Sequence, residues 1–230
     1  MSYSLPVAAA AAFSFILTSA TMAEEEHADV WILPVDGALT TGSISEDGDP
    51  ISMSERVFAA DFGEDPSFPF ASIEPGFQMN DGALDAFAAM SFSIDGAVTR
   101  WDGNGFSSAA EVMSLSFGPA SVTSGDGPVS GFGWTADDEG GFHDHFDIEL
   151  MGDGGDPTNG VYLLPLSLSA EMSGEMLSSD TFWFVLNLGE DEAAHDAAID
   201  WVQLNLVPGP FTGALFLLAG ARSRRRRRSN

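Results

Sequence analysis

Short apolar runs broken by clusters of Gly, Pro, Asp and Ser recur along most of this chain, a pattern of strands and turns rather than of helices. Strands are predicted at 29–34, 57–61, 89–94, 112–117, 145–151, 160–170, 182–188 and 198–206. Two of them alternate with period two. Phe146, Ile148 and Leu150 share one face of their strand, with His145, Asp147 and Glu149 on the other, and Tyr162, Leu164, Leu166 and Leu168 share one face of theirs. Connections at 46–50, 125–128 and 152–160 are rich in Asp, Gly and Pro, and the last reads as a hairpin connection. Helical signal is confined to one turn or two at 191–198. No internal repeat, linker or heptad is visible. The expectation is an all-β fold, a single β-sandwich or jelly-roll-like domain over 24–206.

Both ends break the pattern. Residues 5–17 form an uncharged apolar run, followed by the small residues Thr18-Ser19-Ala20 and Thr21-Met22-Ala23 and then by Glu24-Glu25-Glu26. That is the form of a secretory signal peptide cut after Ala23, or after Ala20, although the leading residues carry no Lys or Arg. At the other end, Val207-Pro208-Gly209-Pro210 precedes an apolar segment at 211–221, then Arg222 and the cluster Arg224, Arg225, Arg226, Arg227 and Arg228. Proline cannot donate to a ladder, so the motif should stop the strand before it. An apolar helix with arginines behind it obeys the positive-inside rule, which would hold the precursor in the inner membrane with its tail in the cytoplasm.

The order of proline motif, apolar segment and terminal arginine cluster resembles the PEP-CTERM sorting signal of Gram-negative bacteria, in its Val-Pro-x-Pro variant. Gly209 stands where that variant carries glutamate. The resemblance implies removal of 1–23 by signal peptidase and of the tail 207–230 by an exosortase-type sorting protease. The product would then reside at the outer surface or in the exopolysaccharide matrix.

Charge narrows the partners. The chain has 35 acidic residues against 8 basic ones, for a net charge of −27. Residues 24–206 retain all 35 acids and only Arg56 and Arg100, a formal −33. Binding a phosphate backbone needs Lys or Arg to displace counterions, so nucleic acid is excluded as a partner. Such a charge suits a salty medium and also draws divalent cations. With no cysteine, an exported domain must rely on its core, for which 18 Phe and 5 Trp supply material.

Candidate chemistry centres on the four histidines, His27, His143, His145 and His195. His143 and His145 are two apart, so on an extended strand both rings point to the same side and can share one cation, with further ligands from elsewhere. Imidazole with carboxylate suits zinc, and Asp144, Asp196 and Glu190 are nearby carboxylates. The spacing equally admits ordinary surface histidines in an acid-rich chain. Calcium is the lesser candidate cofactor: the 153–160 loop offers oxygens but not the ligand order of an EF-hand. Trp101 and Trp134, flanked by Asp and Gly, are the exposed aromatics an alternative carbohydrate-binding or matrix module would use, while Trp183 and Trp201 lie in apolar runs expected in the core.

Four patches carry a second resemblance: Gly141-Phe142-His143-Asp144-His145-Phe146, Gly160-Val161-Tyr162-Leu163-Leu164-Pro165-Leu166, Phe182-Trp183-Phe184-Val185-Leu186-Asn187 and His195-Asp196-Ala197-Ala198-Ile199-Asp200-Trp201-Val202. With His27-Ala28-Asp29-Val30-Trp31 and Glu74-Pro75-Gly76-Phe77, the chain resembles PEP-CTERM proteins whose genes answer to the zinc-uptake repressor. The resemblance implies zinc capture or zinc sparing at the cell surface, with His27, His143, His145 and His195 as metal ligands. Enzyme motifs are missing: there is no Gly-x-Ser-x-Gly elbow, Walker loop, dinucleotide fingerprint or His-Glu-x-x-His helix. A non-enzymatic role is expected.

Overall fold

A computed structural model describes residues 28–45 and 47–209, with strands numbered here along the chain. The described residues are predominantly β, in three sheets with one helix. The first sheet runs in the order β13 (Phe142–Asp144), β6 (Phe77–Met79), β1 (Asp29–Val35), β2 (Ala38–Ile44) and β3 (Pro50–Ser52). Its β1–β6 pair is parallel; β6–β13 and β1–β2 are antiparallel. Asp36 and Gly37, at φ 50° and 83°, turn β1 into β2, the positive-φ pair that a two-residue hairpin demands.

The second sheet runs β11 (Ala120–Thr123), β10 (Val112–Phe117), β14 (Asp147–Met151) and β5 (Ala71–Ser72). The third has the path β12 (Val129–Thr135), β7 (Ala89–Ile94), β15 (Gly160–Met172), β17 (Phe182–Leu188) and β4 (Val57–Asp61). Off that path, β8 (Thr99–Trp101) and β16 (Glu175–Ser178) pair with β15, and β9 (Phe106–Ser108) pairs with β8.

One hydrophobic core draws on all three sheets, with Val30 and Phe77 from the first, Met113 and Ile148 from the second, and Phe92, Leu164 and Phe184 from the third. Phe146, just before β14, is its aromatic hub, with ring centroids 4.9 Å from Phe77 and 5.2 Å from Trp134. Offset and edge-to-face rings at such distances add to the stabilisation from burial itself. Strand β17 is buried along its whole length, which explains its uninterrupted apolar run. One face meets the main core. The other, with Trp183 and Val185, lies under the helix.

That helix, α1 (Glu192–Asn205), replaces the strand expected at 198–206 and extends the short helical turn expected before it. Asp191 caps it by accepting a hydrogen bond from the Ala194 N–H. His195, Ala198 and Val202 are its buried residues, at i, i+3 and i+7, so helical spacing underlies what looked like an apolar strand. Three further expectations are corrected. Strand β14 begins at Asp147, leaving His145 in the link after β13. The 152–160 connection passes from the second sheet to the third and is no hairpin. Trp134 is 8% exposed and sits in the main core, because the glycine-rich stretch before it is the bulged strand β12. Gly131 is required there: a Cβ would come within 2.6 Å of the Phe92 carbonyl oxygen.

The predicted signal segment 1–23, His27, Pro210 and the arginines at 222 and 224–228 lie outside the described residues. Val207, Pro208 and Gly209 follow α1, with Val207 packed beneath it and Pro208 and Gly209 exposed. Among the described residues no helix is long and apolar enough to cross a membrane.

Candidate metal centre

The site grows from the alternation of one sheet. In β1, Val30 and Ile32 point into the main core, so Asp29 and Trp31 must point the other way. In β6, Phe77 and Met79 face the core, leaving Gly76 and Gln78 on the side of Asp29 and Trp31. Cross-strand register sets Trp31 beside Gln78 and Gln78 opposite His143. One residue pair further along, Asp29, Gly76 and His145 meet.

The meeting is close because Gly76 has no side chain. A Cβ there would stand 2.7 Å from Asp29 Oδ1, 2.7 Å from His145 Cε1 and 2.8 Å from His145 Nδ1. The Gly76 N–H donates to Asp29 Oδ1 at 2.9 Å and also reaches Glu74 Oε2 at 3.2 Å. The Glu74-Pro75 bond is cis. Glu74, buried at the foot of this turn, places Oε1 3.2 Å from His145 Nδ1. The Ile73 carbonyl lies 3.1 Å from the same nitrogen. Two acceptors on Nδ1 favour the proton there, the carboxylate–histidine arrangement that prepares an imidazole for a metal.

His143 approaches from the next row, its Nε2 3.2 Å from Asp29 Oδ2. That is an ion-pair distance, yet Oδ2 is buried and accepts no hydrogen bond. Asp29 thus has one oxygen fixed by the backbone and the other buried against the His143 ring nitrogen. One ligand atom each from Asp29, His143 and His145 falls within 4.8 Å of the others, a group that can hold a metal ion. Ligand atoms around tetrahedral zinc stand about 3.3 Å apart. The His143–Asp29 contact already matches that spacing, and the third ligand has only a short distance to close.

Electrostatics agree with the geometry. Burial pushes the Asp29 carboxyl above its ordinary range, against the opposing pull of His145. His145 is raised to about 9, first by its hydrogen bond to Glu74 and then, against desolvation, by the charges of Glu74 and Asp29. Without metal, a proton on His145 supplies the positive charge this corner demands.

The four predicted histidine ligands therefore separate. His143 and His145 come together, with rings 5.6 Å apart. His195 is elsewhere: 4% exposed under α1, its Nε2 3.0 Å from the Val185 carbonyl oxygen. His27 precedes the described residues by one position. The carboxylates at the site are Asp29 and Glu74, in place of the nearby Asp144, Asp196 and Glu190. Nothing local marks Asp29 and Glu74 as partners of His145. The one available signal is an acid leading an otherwise apolar strand, in Asp29-Val30-Trp31-Ile32.

The chain matches no protein-family model, no curated protein and no solved structure. The reading of the site rests on its own chemistry. One further concavity lies nearby, a groove of ≈ 820 Å³ between Phe68 and Phe70 on one side and Ser114, Ser116, Asp147 and Glu149 on the other. The two tryptophans expected to be exposed differ: Trp134 is in the core, and Trp101, half-buried, packs against Phe106 and Trp201, with centroids at 5.3 and 6.1 Å.

Proposed function

We propose that this protein binds a divalent cation, zinc by the chemistry of its donors, at Asp29, His143 and His145, and that it does so as an exported surface protein without catalytic activity of its own. The observation that carries the metal reading is the convergence of two imidazoles on a fully buried carboxylate whose Oδ2 accepts no hydrogen bond. A buried carboxylate is disfavoured by desolvation, and a cation beside it offsets that cost. Two nitrogens and one carboxylate oxygen are a borderline donor set that suits zinc better than calcium or magnesium, which prefer oxygen alone. Glu74 fixes the His145 ring, and Gly76 keeps open the space in which the ligands meet.

Export is supported by the signal-like N-terminus and the sorting-like tail, with Pro208 and Gly209 exposed where the chain leaves α1. The β-sandwich reading of the scaffold is supported by the core that all three sheets share. A sugar-binding platform on Trp101 and Trp134 lacks that kind of support, since one ring is buried and the other is packed against its neighbours.

Equilibrium dialysis of the intact chain against zinc, followed by elemental analysis, tests the metal reading. One equivalent is expected, lost on Asp29→Ala. Absence of bound zinc in the unsubstituted chain would overturn the reading. Mass spectrometry of the product exported by a Gram-negative host carrying an exosortase tests the sorting reading. The expected species starts at Glu24 and lacks the arginine cluster.

A further inference from the structure

The ligand-bearing residues occupy three corners of a small grid on the outer face of the first sheet. One row is Asp29–Gly76–His145, and the next is Trp31–Gln78–His143. The position between Trp31 and His143 belongs to Gln78. We propose that the Gln78 carboxamide oxygen is the fourth protein ligand, so that the cation is held by two imidazole nitrogens, one carboxylate oxygen and one carboxamide oxygen. The proposal rests on the metal reading above and deepens it.

Three observations converge on Gln78. Its register partner across β6–β13 is His143, and directly opposed residues have their Cβ atoms about 4.5–5.5 Å apart, within reach of one shared ion. Its Oε1 is buried and accepts no hydrogen bond. Asp29 Oδ2, in the neighbouring row, is also buried and has the His143 Nε2 at 3.2 Å. A buried acceptor oxygen without a donor, on the residue registered opposite an imidazole, is an arrangement that a cation satisfies and a proton-bearing group would otherwise have to. Finally, Gln78 and His143 together line a cleft of ≈ 450 Å³ whose other walls include Asn80, Asp81 and Asp137. A cation can reach His143 and Gln78 from solvent by that route, drawn by the two carboxylates.

The ligand count also argues for it. Asp29, His143 and His145 supply three donors, whereas structural zinc takes four from the protein and catalytic zinc keeps its fourth position for water or substrate. A buried carboxamide oxygen in the adjacent position closes the set, as befits a storage or capture site. A structural role would instead pair Gln78 Oε1 with the Trp31 indole N–H, its other neighbour in the row, which is also buried without a partner.

Cobalt(II) titration of the intact chain separates these roles, because the visible bands of bound cobalt report the ligand set directly. The unsubstituted chain is expected to bind one equivalent. Gln78→Ala should weaken binding by at least about tenfold and shift the bands. Gln78→Glu, which restores an oxygen donor, should recover most of the affinity. Trp31→Phe should leave affinity and spectrum unchanged, which also shows that local repacking is not what the bands report. Gln78→Ala that folds, as judged by circular dichroism, and binds cobalt within twofold with unaltered bands would overturn the fourth ligand while leaving the three-residue site standing. Weakening by Trp31→Phe equal to that by Gln78→Ala would assign Gln78 to the indole and overturn the ligand role as well. If the unsubstituted chain binds no cobalt, the site reading itself fails, and the proposal with it.

Discussion

His145 and His195 are the same residue in the same acid-rich chain, and their surroundings give them opposite meanings. His195 lies under α1 in an apolar pocket, with its Nε2 on the Val185 carbonyl oxygen. It ties the helix to β17. His145 sits where a parallel strand pair and a glycine bring Asp29 against it, with Glu74 at its Nδ1. Its Nδ1 faces two acceptors, and a fully buried carboxylate stands in the same group. Burial alone does not mark a functional histidine. What distinguishes His145 is the Glu74 carboxylate and the Ile73 carbonyl gathered at its Nδ1 beside the buried Asp29.

Replacing both His143 and His145 by Ala should lower zinc affinity by more than about a hundredfold, since two first-sphere donors go. His195→Ala should leave zinc affinity within about twofold while costing about 1–3 kcal/mol of stability, read as a fall in Tm. Gly76→Ala tests the close approach. Its methyl would meet Asp29 Oδ1, His145 Cε1 and His145 Nδ1 at under 3 Å. We expect a loss of about tenfold or more in zinc affinity, measured by competition with a chromophoric chelator.

Two finer predictions concern protons. His145 is raised to about 9, so the charged ring stabilises the metal-free fold fully below its unfolded value of about 6.5. That contribution fades as pH rises through about 9, and the Tm of metal-free protein should fall across this window. Zinc must displace the same proton, so its affinity should climb about tenfold per pH unit up to about pH 9 and then flatten. Glu74→Gln removes the charge that holds the proton. It should move the flattening point down toward 6.5, followed through the His145 ring signals by NMR, with a smaller change in affinity at high pH.

How much of this was legible in the sequence differs by region. Strands β4, β7, β10 and β17 coincide with the predicted 57–61, 89–94, 112–117 and 182–188, because a continuous or alternating apolar run is a local signal. Strand β12 was hidden by its glycines. Helix α1 was hidden because 198–206 is apolar at nearly every second position, while the helical triad His195, Ala198 and Val202 begins outside that window. At the site, the His-x-His pair was legible, since its geometry depends on two neighbouring residues. Asp29 and Glu74 were not. Their partners arrive through pairing of β1 with β6 and of β6 with β13, across 47 residues in the case of Asp29 and Gly76. No periodicity encodes a contact of that range.

The metal proposal assigns the ion to Asp29, His143 and His145 and not to His195. Its most direct test is calorimetric titration of zinc into the intact chain, the His143→Ala/His145→Ala variant and the His195→Ala variant at one pH. One tight equivalent is expected in the unsubstituted chain and in His195→Ala, and none in the double variant. Binding that survives the double substitution, or that disappears with His195 while the fold persists, would contradict it.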